Sequence, residues 1–296
     1  MNDLENKVSL LTFGQIILVM LLWAVCFPLI VVGIEYAPHL TFAAFRSILA
    51  GAALTALAVM LRRPVPKDVQ TWWLLALVGF GATTLAFVGM FHAAEFISPG
   101  IATVIANTQP LLAAVLAGVI LNERIKAVGW AGLALGFAGI IVISVPRFLA
   151  DDQGTYIIGV AYIGLAAVGV SVSNVAIKRL MGRVDALMVM GLQMLIGSVP
   201  LLVGALWTED MMAIDWSYPF IASLLSLSLL GTSFAYWLWC VVLSTVPLNR
   251  ANAFSFLVPI FGLTMGMMFY GESLDWRHLL GIVLTLLGVG LVVWRR

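Results

Sequence analysis

Residues 102–139 read ATVIANTQPLLAAVLAGVILNERIKAVGWAGLALGFAG, and residues 251–288 read ANAFSFLVPIFGLTMGMMFYGESLDWRHLLGIVLTLLG, the same segment written again 149 positions later. Ala102/Ala251, Pro110/Pro259, Glu123/Glu272, Gly132/Gly281, Leu135/Leu284 and Gly139/Gly288 fall in register without a gap. The same offset pairs Thr83 with Thr232 and Ala86 with Ala235 upstream, so the copy covers at least three hydrophobic segments in each half. The chain is one unit written twice.

Composition says where that unit lives. Of the 296 residues, 62% are hydrophobic and 10% charged, far below the quarter or so of charged residues in soluble domains. A bilayer-spanning helix needs about 20 apolar residues. The sequence divides into ten such runs: 12–33, 39–61, 70–91, 98–121, 126–145, 157–178, 185–206, 218–242, 249–271 and 276–294. The expected fold is therefore an all-α integral membrane protein of ten transmembrane helices, with five-helix units at 1–148 and 149–296. The first run is too long for a signal-peptide core and lacks a convincing cleavage site, so it is expected to be retained.

Charge placement orients the spans. Alternating them puts Lys7, Arg62, Arg63, Lys67, Arg124, Lys126, Lys178, Arg179, Arg183, Arg250, Arg295 and Arg296 on one side, and only Arg147 and Arg277 on the other. The positive-inside rule then places both termini in the cytoplasm. Five spans per copy is an odd number, so equivalent helices enter the bilayer from opposite sides and the repeat is inverted. Such halves supply two similar gates facing opposite compartments, the architecture of alternating-access transporters. Residues 146–156 read as an external linker between the copies, and the acidic loop with Glu209, Asp210 and Asp215 as a second external, solvated turn. A net charge of +1 argues for no nucleic-acid or polyanionic partner.

Polar side chains are costly in hydrocarbon and face the protein interior or a wet cavity. In span 4, Thr103, Asn107 and Pro110 share one helical face, repeated in span 9 by Asn252, Phe256 and Pro259. In span 3, Thr83, Phe87 and Met90 share a face, matched in span 8 by Thr232, Tyr236 and Trp239. These faces are expected to line a central cavity, with Trp23 and Phe27 of span 1 and Asn174 of span 6 beside them. Helix-to-helix adhesion is the alternative role for the same small and polar residues. Aromatic walls suit an apolar or aromatic metabolite, or a cation held by ring faces, whereas Trp207, Trp216, Trp276 and Trp294 read as headgroup-level anchors.

Arg46 is the one basic residue inside a span, where insertion costs about 2.5–3.5 kcal/mol. It either holds a substrate carboxylate through paired hydrogen bonds or plays a structural part, snorkelling outward or bonding backbone carbonyls. Pro110 and Pro259, equivalent and oppositely oriented, are expected to hinge the two gates, the alternative being static shaping. His92 and Glu95 have a spacing that could share a metal, but a polar surface turn is the simpler reading. Cys26 and Cys240 read as buried free thiols. Glycines 129, 132, 136 and 139 in span 5, with Gly281 and Gly288 in span 10, mark braces or dimer contacts outside the substrate path. No metal, cofactor or enzyme motif is present: Gly-x-Ser-x-Gly, His-Glu-x-x-His and Cys-x-x-Cys are all missing.

Ten spans, the five-plus-five repeat and, in each copy, a helix with a mid-span proline ending in Glu before a Gly-rich helix together resemble the EamA family of the drug/metabolite transporter superfamily. The pieces that carry the likeness are Asn107-Thr108-Gln109-Pro110 through Leu121-Asn122-Glu123, and Phe256-Leu257-Val258-Pro259 through Tyr270-Gly271-Glu272. Phe45-Arg46-Ser47 also looks like that family's Arg-bearing second helix, with Gln193 at roughly the corresponding point of span 7. The resemblance implies a carrier of small metabolites, commonly an exporter of amino acids or related compounds, in a bacterial inner membrane and working as a monomer or homodimer. Span 1 lacks the mid-span Glu of the superfamily's small multidrug pumps, and no acid sits mid-span elsewhere, so facilitated diffusion is favoured over proton coupling. The competing readings are a multidrug efflux protein for lipophilic cations and, from another class, a receptor or scaffold without vectorial transport.

Overall fold

A computed structural model describes residues 10–106, 108–120, 127–148, 153–180, 183–246, 251, 254–271 and 275–294, and every regular element among them is helical. In a medium without water each backbone donor must be satisfied within its own segment, which leaves the helix as the solution for apolar runs of this length. The helices are α1 (Leu10–Ile34), α2 (His39–Met60), α3 (Val69–Ala93), α4 (Pro99–Ala106), α5 (Gln109–Ile120), α6 (Ala127–Phe148), α7 (Gln153–Leu180), α8 (Ala186–Thr208), α9 (Tyr218–Thr245), α10 (Leu257–Tyr270) and α11 (Trp276–Trp294). Of these, α1, α2, α3, α8 and α9, with Gly154–Leu180 of α7, are long and apolar enough to cross a bilayer, and shorter apolar helices accompany them.

The expected linker at 146–156 is much shorter than its polarity suggested. Helix α6 continues to Phe148 and α7 begins at Gln153, so only 149–152, outside the described residues, can separate them. Helix starts follow side-chain chemistry. Asp68 accepts the Thr71 backbone N–H at 2.7 Å, Asp185 that of Leu187 at 3.0 Å, and Asp275 that of Arg277 at 3.0 Å, each satisfying an orphan donor of a first turn. The Thr71 hydroxyl, then its backbone N–H, hold the Asp68 carboxyl below the usual carboxylate range.

Helices α3 and α9 share an irregularity. Each widens into a π-helical stretch, Gly79–Leu85 in α3 and Ser226–Phe234 in α9, ending at Leu85 and Phe234, residues related by the 149 offset. In α9 the cause is visible: the Thr232 hydroxyl donates to the Leu227 carbonyl at 2.7 Å and Ser233 to that of Ser228 at 2.9 Å, both five residues back. Such π-helical stretches are frequent at functional sites. A second irregularity splits the fourth expected span: α4 ends at Ala106 and α5 starts at Gln109. Proline lacks the donor for the carbonyl four residues back, and for Pro110 that carbonyl belongs to Ala106, where the helix stops. In the other copy the matching place is a 3-10 turn at Phe254–Phe256 leading into α10.

Packing joins three helices of the first copy to their equivalents in the second. Helices α2 and α8 lie together, and so do α6 and α11. A side-chain carbon at Gly139 would lie 2.6 Å from the Gly281 carbonyl oxygen and 2.8 Å from the Thr285 nitrogen, whereas one at Gly288 would meet Gly132 and Gly136. The two helices therefore run antiparallel at a distance only glycine permits. Gly191 likewise meets Thr55 while Gly204 faces Leu40, so α2 and α8 are also antiparallel. Helix α4 packs on α10; α3 packs on α7 and α8, and its counterpart α9 packs on α1 and α2. Exchanging the copies leaves this pattern of neighbours unchanged.

The acidic loop after α8 is more than a solvated turn. Glu209 accepts the backbone N–H groups of Leu40 and Thr41 and the Thr41 hydroxyl, each at 2.8 Å. The Asp215 N–H donates to the Tyr36 carbonyl at 2.8 Å. A carboxylate thus sits on the positive end of α2, supplied from a distant part of the chain. Replacing Glu209 with Ala is expected to lower stability by about 1–2 kcal/mol, read as a fall in the thermal midpoint of the detergent-solubilised protein, with Gln restoring part of it.

Candidate functional site

A cavity enclosing about 930 Å³ of empty space, part of it open to the outside, lies between the two copies. Its wall is built from equivalent places in each: Phe87 and Tyr236, Met90 and Trp239, Ala106 and Ser255, and Gln109 and Val258 are all pairs at offset 149. Helices α3 and α9 bring the first two pairs. The first half's contribution from the third and fourth pairs comes from the two sides of the α4/α5 break, and the second half's from the 3-10 turn and the start of α10. Two broken or widened helices from each copy therefore meet at one place.

Aromatic rings form one side. Trp23 meets Trp239 edge-on, with centroids 5.2 Å apart, and Tyr236 at 5.7 Å. Helix α7 adds the small apolar side chains Ala166, Ala167 and Val170, with Asn174 one turn further along it. Cys26 and Phe27 of α1 also line it, Cys26 as a free thiol; Cys240, the other, is buried in the core.

Arg46 occupies the wall at 2% exposure. It does not snorkel outward. Its Nε donates to the Thr232 hydroxyl at 2.9 Å, Nη2 to Cys26 Sγ at 3.5 Å, and the guanidinium carbon stands 4.4 Å from the Phe87 ring centre. Nη1 is buried without a hydrogen-bond partner among the described residues, and so is Trp23 Nε1. No carboxylate stands among the described residues of the wall. The π-helical stretch of α9 thus presents Thr232 to Arg46, and the equivalent Thr83 in α3 donates to Gln193 Oε1 of α8 at 3.0 Å. The copies use the same hydroxyl, but one grips a cation and the other an amide.

Of the residues the sequence singled out, Trp23, Phe27, Arg46, Phe87, Asn174, Tyr236 and Trp239 meet in this cavity. Thr83 faces the α3/α8 contact instead, because its hydroxyl is taken by Gln193. Asn107 and Asn252 lie outside the described residues, as do Glu123 and Glu272, and so do the side chains of Thr103, Phe256, Pro110 and Pro259. Sequence reasoning missed Gln109 and Ser255; Gln109 was readable only as the neighbour of Pro110, and Ser255 only as the register mate of Ala106. It also missed Ala166 and Ala167, whose signal is merely their small size. His92 and Glu95 do not come together on a metal: His92 bonds the Val88 carbonyl at 2.9 Å and Glu95 pairs with His39 at 3.2 Å. Among the anchoring tryptophans, Trp207 and Trp276 are exposed, while Trp216 stacks on Phe45 at 6.1 Å; the side chain of Trp294 is outside the described residues.

Apolar helices surrounding an interior cavity walled by two copies of one unit define an integral membrane protein of the transporter class. The EamA-like transporter family matches the chain twice, over residues 11–145 and 157–294, and the chain belongs to that family, within the drug/metabolite transporter superfamily. It is 30% identical over 273 residues to the Bacillus subtilis uncharacterized transporter YvbV, covering 92% of this chain and 88% of that one. It is 27% identical to a probable amino-acid metabolite efflux pump of Escherichia coli, over 95% of each chain. A solved crystal structure shares the fold with a TM-score of 0.70 at 18% identity, covering 96% of both chains.

Thr232 and Thr83 separate positioning from packing. Thr232→Val and Thr83→Val, both nearly isosteric, are each expected to cost about 1–3 kcal/mol by leaving a buried polar partner unsatisfied, measured by thermal unfolding in detergent. Only Thr232→Val is expected to weaken ligand binding in the cavity as well.

Proposed function

We propose that the protein exports small amphipathic metabolites, amino acids foremost, across a bacterial cytoplasmic membrane by alternating access. The observation that carries this reading is the cavity itself, walled by matched residues of two repeats. In the proposed architecture ten transmembrane helices form two inverted units, 1–148 and 149–296, with both termini in the cytoplasm. The antiparallel packing of α2 on α8 and of α6 on α11 supports inversion, since equivalent helices in a parallel repeat would run the same way. Similar gates at the two ends then open in turn around one central site, with Pro110 and Pro259 as their hinges. The chain works as a monomer or homodimer in the bilayer and needs no nucleic-acid partner.

Substrate contact is assigned to Trp23, Phe27, Arg46, Phe87, Asn174, Tyr236 and Trp239 and, from helical spacing in the sequence, to Thr103, Asn107, Asn252 and Phe256; Thr83, whose hydroxyl is held by Gln193, takes no part in it. The probable amino-acid metabolite efflux pumps of Escherichia coli and Salmonella typhimurium, 27% and 28% identical to this chain, support an amino-acid-like cargo. The Arg46 charge opposes the lipophilic-cation reading, because a cation would enter beside a guanidinium with no carboxylate to offset it. Lacking an acid on the described wall, the site supports facilitated diffusion rather than proton exchange.

The test is flux of labelled aromatic and aliphatic amino acids into liposomes containing the purified protein. Saturable flux is expected, unchanged in direction by an imposed pH gradient and reduced at least about tenfold by Arg46→Gln. Uphill flux driven by the pH gradient would replace facilitation with proton coupling; binding without flux would move the protein to a receptor role. Pro110→Ala and Pro259→Ala are each expected to slow exchange several-fold while leaving binding intact. Wild-type rates in both folded variants would remove the hinge assignment.

A further inference from the structure

The charge balance of the cavity points to a narrower cargo than the family name implies. Arg46 is buried in the middle of an apolar structure, and a guanidinium in that setting needs a counter-ion. None is supplied: no ion pair among the described residues includes Arg46, and no Asp or Glu stands on the described wall. The protein does spend part of its donor set. Thr232 takes Nε at 2.9 Å and Cys26 Sγ takes Nη2 at a weak 3.5 Å, while the Phe87 ring faces the guanidinium at 4.4 Å. These contacts fix the plane of the group and leave its charge uncompensated and its Nη1 donor unused. A second unused buried donor, Trp23 Nε1, belongs to another wall residue.

We infer that the cavity recognises the carboxylate of an apolar-bodied monocarboxylic acid, for which Arg46 is the obligatory counter-charge, and that an α-amino group on the ligand is dispensable. A carboxylate is a small anion whose two oxygens match the guanidinium fork and, unlike a phosphate, brings only one charge to an apolar cavity. The remainder of the molecule fits against the rings of Trp239 and Tyr236 and the small side chains of Ala166, Ala167 and Val170, all of which line the cavity. An ammonium group would find no carboxylate there, only neutral polar groups and ring faces, so it adds little to binding. Amino acids, their 2-oxo acids and their des-amino analogues thus form one ligand class, from which amines and amides are excluded. This inference rests on the cavity being the substrate site of the proposed carrier.

Binding, measured apart from flux, tests it. Purified protein in lipid nanodiscs is titrated by calorimetry with phenylalanine, 3-phenylpropionate, phenethylamine and phenylalaninamide. Phenylalanine and 3-phenylpropionate are expected to bind within about tenfold of each other, with the amine and the amide weaker by about tenfold or more. Arg46→Gln is expected to abolish binding of both acids, and Arg46→Lys to weaken it by about tenfold. Where Arg46→Gln does not fold, Thr232→Val, which removes the Nε acceptor at nearly constant shape, is expected to weaken the acids selectively, and Thr83→Val is the control. Equal binding of phenethylamine and 3-phenylpropionate would overturn the inference. Acid binding untouched in folded Arg46→Gln, or no binding by any of the four, would do so too. The vesicle flux of amino acids is read independently, so a carrier with a different recognition rule is distinguishable from a protein that carries nothing.

Discussion

The close approach of equivalent helices sets the geometry of this protein. Lipid removes the hydrophobic drive that holds soluble helices together, leaving van der Waals contact and hydrogen bonding as the cohesive forces. Both strengthen as backbones approach, and approach is limited by the side chains between them. Gly139 and Gly288 remove that limit where α6 crosses α11, and Gly51 and Gly191 do so where α2 crosses α8. A β-carbon at Gly288 would lie 2.5 Å from the Gly132 carbonyl oxygen, a contact no real side chain makes. With these pairs tight and antiparallel, the remaining helices must surround a central space, and residues equivalent by sequence are brought to it from both copies.

What that space contains follows from defects in helix geometry. A regular helix presents its side chains at fixed intervals and buries its carbonyls. The π-helical stretches in α3 and α9 break that regularity at equivalent points and turn Thr83 and Thr232 toward neighbouring helices. From there the copies diverge. Thr232 meets a guanidinium and Thr83 an amide, so a nearly symmetric scaffold carries an asymmetric charge. The same division shows in Phe87 against Tyr236 and Met90 against Trp239, where the second copy supplies the larger or more polar ring. Equivalent places in the two copies thus wall one cavity, while their different side chains make its chemistry asymmetric.

How much of this was legible beforehand varied with the range of the interaction. The 149 offset, the apolar runs and the helix starts at Asp68, Asp185 and Asp275 depend on neighbours in sequence, and the six long helices begin and end within a few residues of the expected places, whereas the fourth expected span is split and α10, in the ninth, starts only at Leu257. Helical spacing placed Phe87, Tyr236 and Trp239 on faces that do meet at the cavity. The same spacing put Thr83 on that face, and the structure turns its hydroxyl to Gln193, 110 residues away. Glu209 looked like part of a solvated acidic turn for the same reason: its partners, Leu40 and Thr41, lie nearly 170 positions back. Gln109 and Ser255 carried no sign of their place on the wall beyond their register beside Pro110 and Ala106.

By itself the sequence determined that this is a helical membrane chain made of one unit written twice, because bilayer thickness and backbone hydrogen bonding leave apolar runs of this length a single solution and register identity needs no third dimension. Tertiary structure decided which polar groups spend their hydrogen bonds on each other and which are left for a ligand. Arg46 shows the difference. Its cost in hydrocarbon was plain from its position in the second span, but only packing shows that Thr232 and Cys26 take two of its nitrogens and that, among the described residues, the third has no hydrogen-bond partner and the charge no carboxylate. Desolvation and pairing energies depend on what surrounds a group in space, and the residues that surround Arg46 come from three other helices, one of them, α9, nearly 190 positions away.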